Sequence, residues 1–227
     1  MTEDKDKEFS RGQKVTDAQK LKARVEAELT AMVEQAATEL AEAPDPSAWE
    51  VFAVGPYQDP GLEPGRIIEL NDTAYIATVV WLNPFMDTNL SGLAGQIQLS
   101  YFTANKQTME PVPDMNYHCC FEPGSPALVW PGVGSFYVHV WEFVPSEAAC
   151  ILETNICARV CNCDGEAVPG YAAFVRWVPM LDFDAFFPSE PAFTFDHPIR
   201  YLVYNNEDDT NCECTEACEE GELPPIP

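Results

Sequence analysis

The chain has 227 residues, 46% of them hydrophobic, and a formal net charge of −25 at pH 7. Its length suits one large hydrophobic core with terminal segments to spare. The acidity disfavours nucleic acid and anionic membranes as partners, and no apolar run reaches the ~20 residues that a membrane-spanning helix needs.

Residues 1–15 form a charged N-terminal arm that lacks the apolar stretch of a secretory signal, so the cytoplasm is the default location. The nine cysteines conflict with that default, because disulfides persist mainly in oxidising compartments. Oxidised cysteines would favour the surface of a particle or cell instead. Since nine is odd, at least one thiol is free, bound to a metal or joined to another chain.

Residues 16–43 are predicted to form one amphipathic helix. Thr16 and Gln19 have the spacing of a capping box, and Pro44 ends the helix. The apolar side either packs on the domain of the same chain or binds a partner, and the sequence leaves both uses open. The apolar positions are Ala18, Leu21, Val25, Leu29, Met32, Ala36, Leu40 and Ala43.

Residues 49–206 are predicted to form a β-sandwich domain. Aromatic and β-branched runs alternate with proline and glycine, and no helical pattern lies between them. The fold class is therefore all-β, an antiparallel β-sandwich or jelly roll of about nine strands preceded by one long N-terminal α-helix. The predicted strands are Glu50–Val54, Arg66–Leu70, Ala74–Leu82, Gly95–Thr103, Ala127–Val129, Ser135–Val144, Cys150–Val160, Tyr171–Val178 and Ile199–Tyr204.

The alternation of side chains predicts which strands are covered. The strand from Ser135 has apolar residues on both faces and is expected to be central and covered on both sides. In the strand from Cys150, Leu152 and Ile156 are expected to face inward, and Cys157 and Cys161 outward.

Residues 207–227 are an acidic, cysteine-bearing tail. Between Glu207 and Glu222 there are eight acidic residues and no basic one, a composition typical of disorder. Its three cysteines mirror the spacing of three earlier ones. In an antiparallel ladder with one register, the pairs would be Cys157 with Cys218, Cys161 with Cys214, and Cys163 with Cys212.

This mirror pattern has three interpretations. Cross-strand disulfides would fasten the tail to the strand near Cys163, within one chain or between chains. Alternatively, Cys161, Cys163, Cys212 and Cys214 bind zinc, although structural zinc sites favour longer spacings. The thiols could also be reduced and the mirror a coincidence. The first interpretation needs a free strand edge, which another subunit would supply if both neighbours of the strand from Cys150 are already in place.

The histidines make a poor catalytic set. Cys120 lies two positions from His118 and could share its face, but a nucleophilic cysteine needs a lowered pKa, and this acidic chain offers little positive charge. His139 lies in an aromatic run typical of a core, and His197 is predicted to lie in a loop. No phosphate-binding glycine loop, nucleophile elbow or metalloprotease helix motif occurs.

The leading hypothesis is therefore a non-enzymatic structural protein without a cofactor. It would self-associate as a homo-oligomer through its terminal segments, as in a filament, coat or surface layer, and cysteines would cross-link it. The alternative is a recognition module, either stabilised by zinc or binding carbohydrate or protein. For the carbohydrate case, Trp49 and Trp130 are the candidate stacking residues.

Overall fold

The computed structural model describes residues 16–36, 49–59, 61, 64–84, 87–88, 95–121, 126–131, 134–161, 167–174, 176–177 and 198–204. For residues 35, 36, 121 and 167–177 only the backbone is described. The predicted N-terminal arm, residues 37–43 of the predicted helix and the acidic tail lie outside these ranges.

Helix α1 (Asp17–Ala36) begins at the predicted capping box. The Thr16 amide donates to Gln19 Oε1 at 3.0 Å, and the Gln19 amide donates to Thr16 Oγ1 at 3.3 Å. Leu21, Val25 and Leu29 are fully buried against a β-sheet of the same chain. The sequence left open whether the apolar side of the helix packs on its own domain or binds a partner. In the structure it packs on its own domain.

That sheet has five strands in the order β11-β1-β3-β8-β7. Strand β8 lies between β3 and β7, and its two faces are covered by α1 on one side and by the second sheet on the other. The prediction that the strand from Ser135 is central and covered on both sides is confirmed. The strands are β1 (Trp49–Tyr57), β3 (Ala74–Leu82), β7 (Leu128–Trp130), β8 (Gly134–Phe143) and β11 (Arg176–Trp177).

The second sheet has seven strands, with β9 and β4 at its centre. The path runs β2-β12-β9-β4-β5, while β10 also pairs with β9 and β6 also pairs with β4. The strands are β2 (Ile67–Glu69), β4 (Gln96–Asn105), β5 (Glu110–Pro111), β6 (Tyr117–Phe121), β9 (Ala149–Cys161), β10 (Ala167–Phe174) and β12 (Ile199–Tyr204).

The main core lies between the two sheets, so the molecule is a β-sandwich with a helix as a third layer. Hydroxyl groups inside this core are hydrogen-bonded, as buried polar groups must be. The Thr78 hydroxyl bonds to that of Tyr101, and the Thr154 hydroxyl bonds to that of Tyr201, each at 2.9 Å.

The all-β prediction with an N-terminal helix is confirmed, and each of the nine predicted strands overlaps a strand of the structure. The described residues contain twelve strands because β5 and β6 were not predicted and the run from Tyr171 is divided between β10 and β11. Within the described residues, no helix is long and apolar enough to cross a membrane.

Candidate functional site

The outer face of the seven-stranded sheet carries a row of polar side chains across three strands. In the register of β6, β4 and β9, Ser100 lies opposite His118 on one side and Cys157 on the other. Two residues earlier on β4, Gln98 lies opposite Cys120 of β6 and Arg159 of β9. Since alternate residues of a strand share a face, these side chains all point away from the core.

Hydrogen bonds hold this face together. Ser100 Oγ and His118 Nδ1 are 3.0 Å apart, and Arg159 Nε donates to Gln98 Oε1. The Phe102 ring meets the His118 ring edge-on, with centroids 5.5 Å apart, and 44% of Phe102 is exposed. Together these side chains surround a shallow hollow of ≈ 520 Å³, lined by Gln98, Ser100, Phe102, His118, Cys157 and Arg159.

The thiols of this region are poorly suited to nucleophilic chemistry. Burial raises the pKa of Cys157 above its ordinary value. Burial also raises the pKa of Cys119, on the core side of β6, to about 11, even though a backbone hydrogen bond at Leu99 opposes the rise. Because the thiolate is the reactive form, both residues are largely unreactive near neutral pH. His118 and Cys120 do share a face, as predicted, but His118 bonds to Ser100.

Both edges of β9 are occupied where the ladder with the tail was expected. Cys157 lies opposite Ser100 of β4 and Phe174 of β10, and Cys161 lies opposite Gln96 and Ala167. Within the described residues, neither edge of β9 is free at these positions, so the expected ladder between the tail and β9 would need one of these strands to be displaced and stays a prediction. Without such a displacement, a disulfide to Cys157 would have to form across the face of the sheet.

The predicted disulfide and zinc residues are only partly described. Cys163, Cys212, Cys214 and Cys218 lie outside the described residues, so the pairing and the zinc site stay predictions. Cys161 is 2% exposed, and its thiol lies 3.7 Å from Gln98 Oε1. Within the described part of the chain, no three His, Cys, Asp or Glu residues are grouped as metal ligands, and the five cysteines there form no disulfide.

The two tryptophans proposed for sugar stacking both pack against the interior, Trp130 fully and Trp49 in part. Trp130 is buried beneath α1, and Trp49 packs against the core between the sheets. Phe102 is the aromatic residue that stands exposed on the outer face instead. The sequence did not single out Phe102 because its neighbour His118 lies on β6, which was not predicted as a strand.

A second cluster on the same face, also missed from the sequence, surrounds Glu153. Lys106 Nζ lies 3.3 Å from Glu153 Oε1, and Arg200 Nε donates to Oε2 at 2.8 Å. Burial alone would raise the pKa of Glu153. Hydrogen bonds from Arg200, Lys106 and Asn155 outweigh that effect and lower the pKa of the carboxyl below its ordinary value.

No protein-family model and no curated protein match this sequence. Among solved structures, the CARDB domain of a Pyrococcus furiosus protein, solved with di-metal ions, has 15% identity and a TM-score of 0.26 over 60% of this chain and 90% of that one. A β-glucosidase from Listeria innocua, solved with glucose, has 6% identity and a TM-score of 0.30 over 57% of this chain and 16% of that one. Such TM-scores are too low to transfer an activity or a ligand.

The Glu153 cluster predicts a pH-dependent contribution to stability. We expect Glu153→Gln to lower the free energy of unfolding at pH 7 by about 1–3 kcal/mol, because two charge-assisted hydrogen bonds lose their carboxylate. The folded-state pKa is lowered, so this contribution is present above pH ~4.5 and is lost as the pH falls through the folded value.

Urea denaturation of wild type and variant at a series of pH values measures this difference. Glu110→Gln is the matched control, since Glu110 is exposed on β5, and its effect should stay within about 0.5 kcal/mol. A difference in unfolding free energy between wild type and Glu153→Gln that does not shrink as the pH is lowered from 7 to well below ~4.5 would contradict the assignment.

Proposed function

We propose that this chain is a non-enzymatic structural protein that self-associates, as a component of a filament, coat or surface layer. The outer face of the seven-stranded sheet is its contact surface. The sequence had assigned a contact role to the helix as well, but the apolar side of α1 is used within the molecule. The contact elements of this proposal are therefore this sheet face and the terminal segments, above all the acidic tail.

The observation that carries the proposal is the set of large apolar side chains exposed on that sheet. Ile67 is 64% exposed, and Ile151 and Phe102 are each 44% exposed. An antiparallel sheet face that stays in water normally presents polar side chains. Large apolar side chains left exposed on a face that also carries polar ones are a feature of protein contact surfaces.

The thiol chemistry supports a structural role over an enzymatic one. Cys157 lies beside a histidine and a serine, a combination that also occurs in hydrolases. Its pKa is raised, however, and catalysis requires the pKa of a nucleophilic cysteine to be lowered. A thiol of this kind is better suited to a slow, stable cross-link than to repeated turnover.

Sedimentation velocity in reducing buffer over a range of protein concentrations tests the proposal. We expect oligomers that grow with concentration, and we expect Ile151→Lys to weaken association by about tenfold or more, because a charge would replace a buried apolar contact. Val129→Lys is the matched control, since Val129 is 57% exposed but lies on β7 of the other sheet. A wild type that is monomeric at every concentration would overturn self-association.

Carbohydrate binding is the second candidate, and the geometry around Phe102 favours it. An exposed ring beside the polar groups of Gln98, Ser100 and His118 is an arrangement that can stack against a sugar and bond its hydroxyls. We expect neutral oligosaccharides to change the chemical shifts of residues around Phe102 in an NMR titration. Phe102→Ala should abolish these changes, and the control Ile151→Ala should leave them as in wild type. Unchanged spectra at millimolar sugar would reject this candidate.

A further inference from the structure

The basic residues of the sandwich are concentrated on one surface. Residues 25–227 carry five Lys and Arg against 32 Asp and Glu. Three of the five, Lys106, Arg159 and Arg200, reach the outer face of the seven-stranded sheet. In a chain this acidic, that face is the natural place for an acidic partner to bind.

Arg159 is the basic residue of this face whose charge is not paired with a carboxylate of the described residues. Lys106 and Arg200 are both paired with the Glu153 carboxylate. Arg159 donates to the Gln98 side-chain amide, which is neutral, and within the described residues no carboxylate lies within ion-pairing distance of it. Its guanidinium keeps further donors that can bind a carboxylate.

The last described strand, β12, shows where the described part of the chain ends on this face. Strand β12 runs antiparallel to β9, and Val203 lies opposite Ala149, so Tyr204, the last described residue, lies at the end of the sheet that is far from Cys157. Eight residues separate Ala149 from Cys157 along β9, which is about 26 Å at ~3.3 Å per residue. Tyr204 therefore lies at one end of this face, and the hollow lies near the other.

Resting on the self-association proposed above, we propose that the hollow binds the acidic tail, residues 207–222, of a second copy of this chain. Arg159 binds a tail carboxylate, and Cys157 lies beside the tail cysteines. The charges are complementary, since the tail has eight acidic residues and no basic one. Tyr204, after which the tail follows in sequence, and the hollow lie at opposite ends of the face. Each copy can therefore give its tail in one direction and receive a tail from the other, so the contact propagates as a head-to-tail filament.

The same contact allows a covalent link when a low-molecular-weight disulfide such as oxidised glutathione is present. The Cys157 thiolate attacks that disulfide, forms a mixed disulfide and releases one glutathione thiol. A tail thiolate then attacks the Cys157 sulfur and releases the second. The two protein thiols are oxidised to one disulfide, and the glutathione disulfide is reduced to two thiols.

Two complementary variants test the docking. The donor carries Cys157→Ser and keeps its tail cysteines, while the acceptor keeps Cys157 and carries Cys212→Ser, Cys214→Ser and Cys218→Ser. They are mixed with oxidised glutathione at pH 8.5, where the thiolate fraction is larger than at neutral pH, and cross-links are mapped by mass spectrometry of tryptic peptides. We expect a heterodimer with a disulfide between Cys157 and a tail cysteine.

The charge contribution is tested in the acceptor. Arg159→Glu should reduce the yield of this cross-link about tenfold, and ~0.5 M salt should reduce it in the same direction because exposed charges are screened. Lys20→Glu is the matched control, because it makes the same change of charge on exposed helix α1 and should leave the yield unchanged.

The outcomes separate the two proposals. A Cys157-to-tail disulfide that forms only within one chain of the wild type would overturn docking by a second copy. Oligomers that persist in reducing buffer without any Cys157-to-tail cross-link in the mixture would overturn this docking site and leave self-association standing. A protein that is monomeric at every concentration would overturn both.

Discussion

Replacing Gly134 with alanine is expected to destabilise the fold by at least about 4 kcal/mol. Gly134 begins β8 with φ of 147°, a backbone region that residues with a side chain rarely adopt. An added Cβ would lie 2.1 Å from the Leu82 carbonyl oxygen and 2.6 Å from Trp81 Nε1. Moving either the backbone of β3 or the buried Trp81 side chain would cost packing and hydrogen bonds, so β3 and β8 would have to separate locally.

Thermal denaturation measures this effect, and a loss of this size should lower Tm by roughly 8–16 °C in a domain of this length. Gly65→Ala is the matched control. Its Cβ would come no closer than 3.5 Å to the Ile67 carbonyl oxygen, which is ordinary contact, so its Tm should stay within a few degrees of wild type. A Gly134→Ala variant as stable as Gly65→Ala would show that β8 does not start in this conformation.

Replacing His139 with phenylalanine is expected to remove a pH-dependent loss of stability. Burial, with a smaller contribution from Lys22 of α1, lowers the pKa of His139 to about 4. Its ring stacks on Tyr117 with centroids 5.8 Å apart, and within the described residues Nε2 has no hydrogen-bond partner. A charge at this position would be poorly compensated.

The direction in which stability changes with pH follows from the pKa values of His139 in the unfolded and folded chains. In the unfolded chain the histidine is protonated below pH ~6.5, while in the folded chain it stays neutral down to about pH 4. The unfolded state therefore binds the extra proton, and stability falls as the pH drops from 6.5 to 4. At about 1.4 kcal/mol per pKa unit, the loss is about 3 kcal/mol.

Chemical denaturation of wild type and His139→Phe between pH 7 and pH 4 isolates this effect, because the shared carboxylates cancel in the difference. His118→Gln is the matched control, since it removes an exposed histidine on the outer face. Parallel stability curves for wild type and His139→Phe would contradict the assignment.

The sequence predicted the features that depend on local pattern. The capping box at Thr16 and Gln19 formed as expected because its partners are three residues apart. The alternation in the strand from Cys150 correctly placed Leu152 and Ile156 in the core. Strand β6 was missed because Tyr117–Phe121 contains no β-branched residue, the type that marks the predicted strands.

The candidate site was less predictable because it depends on which strands are neighbours. His118, Ser100 and Cys157 come from three strands that are far apart in the sequence, and the register between them is set by packing of the whole sheet. The mirrored cysteines suggested a ladder between the tail and β9. The structure fills both edges of β9 with β4, β10 and β12, which no local pattern could indicate.

Strand β12 has a consequence for how the protein folds as it is synthesised. It is the last strand among the described residues, yet it lies between β9 and β2, and its Ile199, Tyr201 and Val203 belong to the main core. Until those residues leave the ribosome, residues 149–154 of β9 present an open edge of the kind that pairs with other chains. The sheet can close only after all the other strands have been made, so the nascent protein passes through a stage at which newly made copies can join the wrong partner.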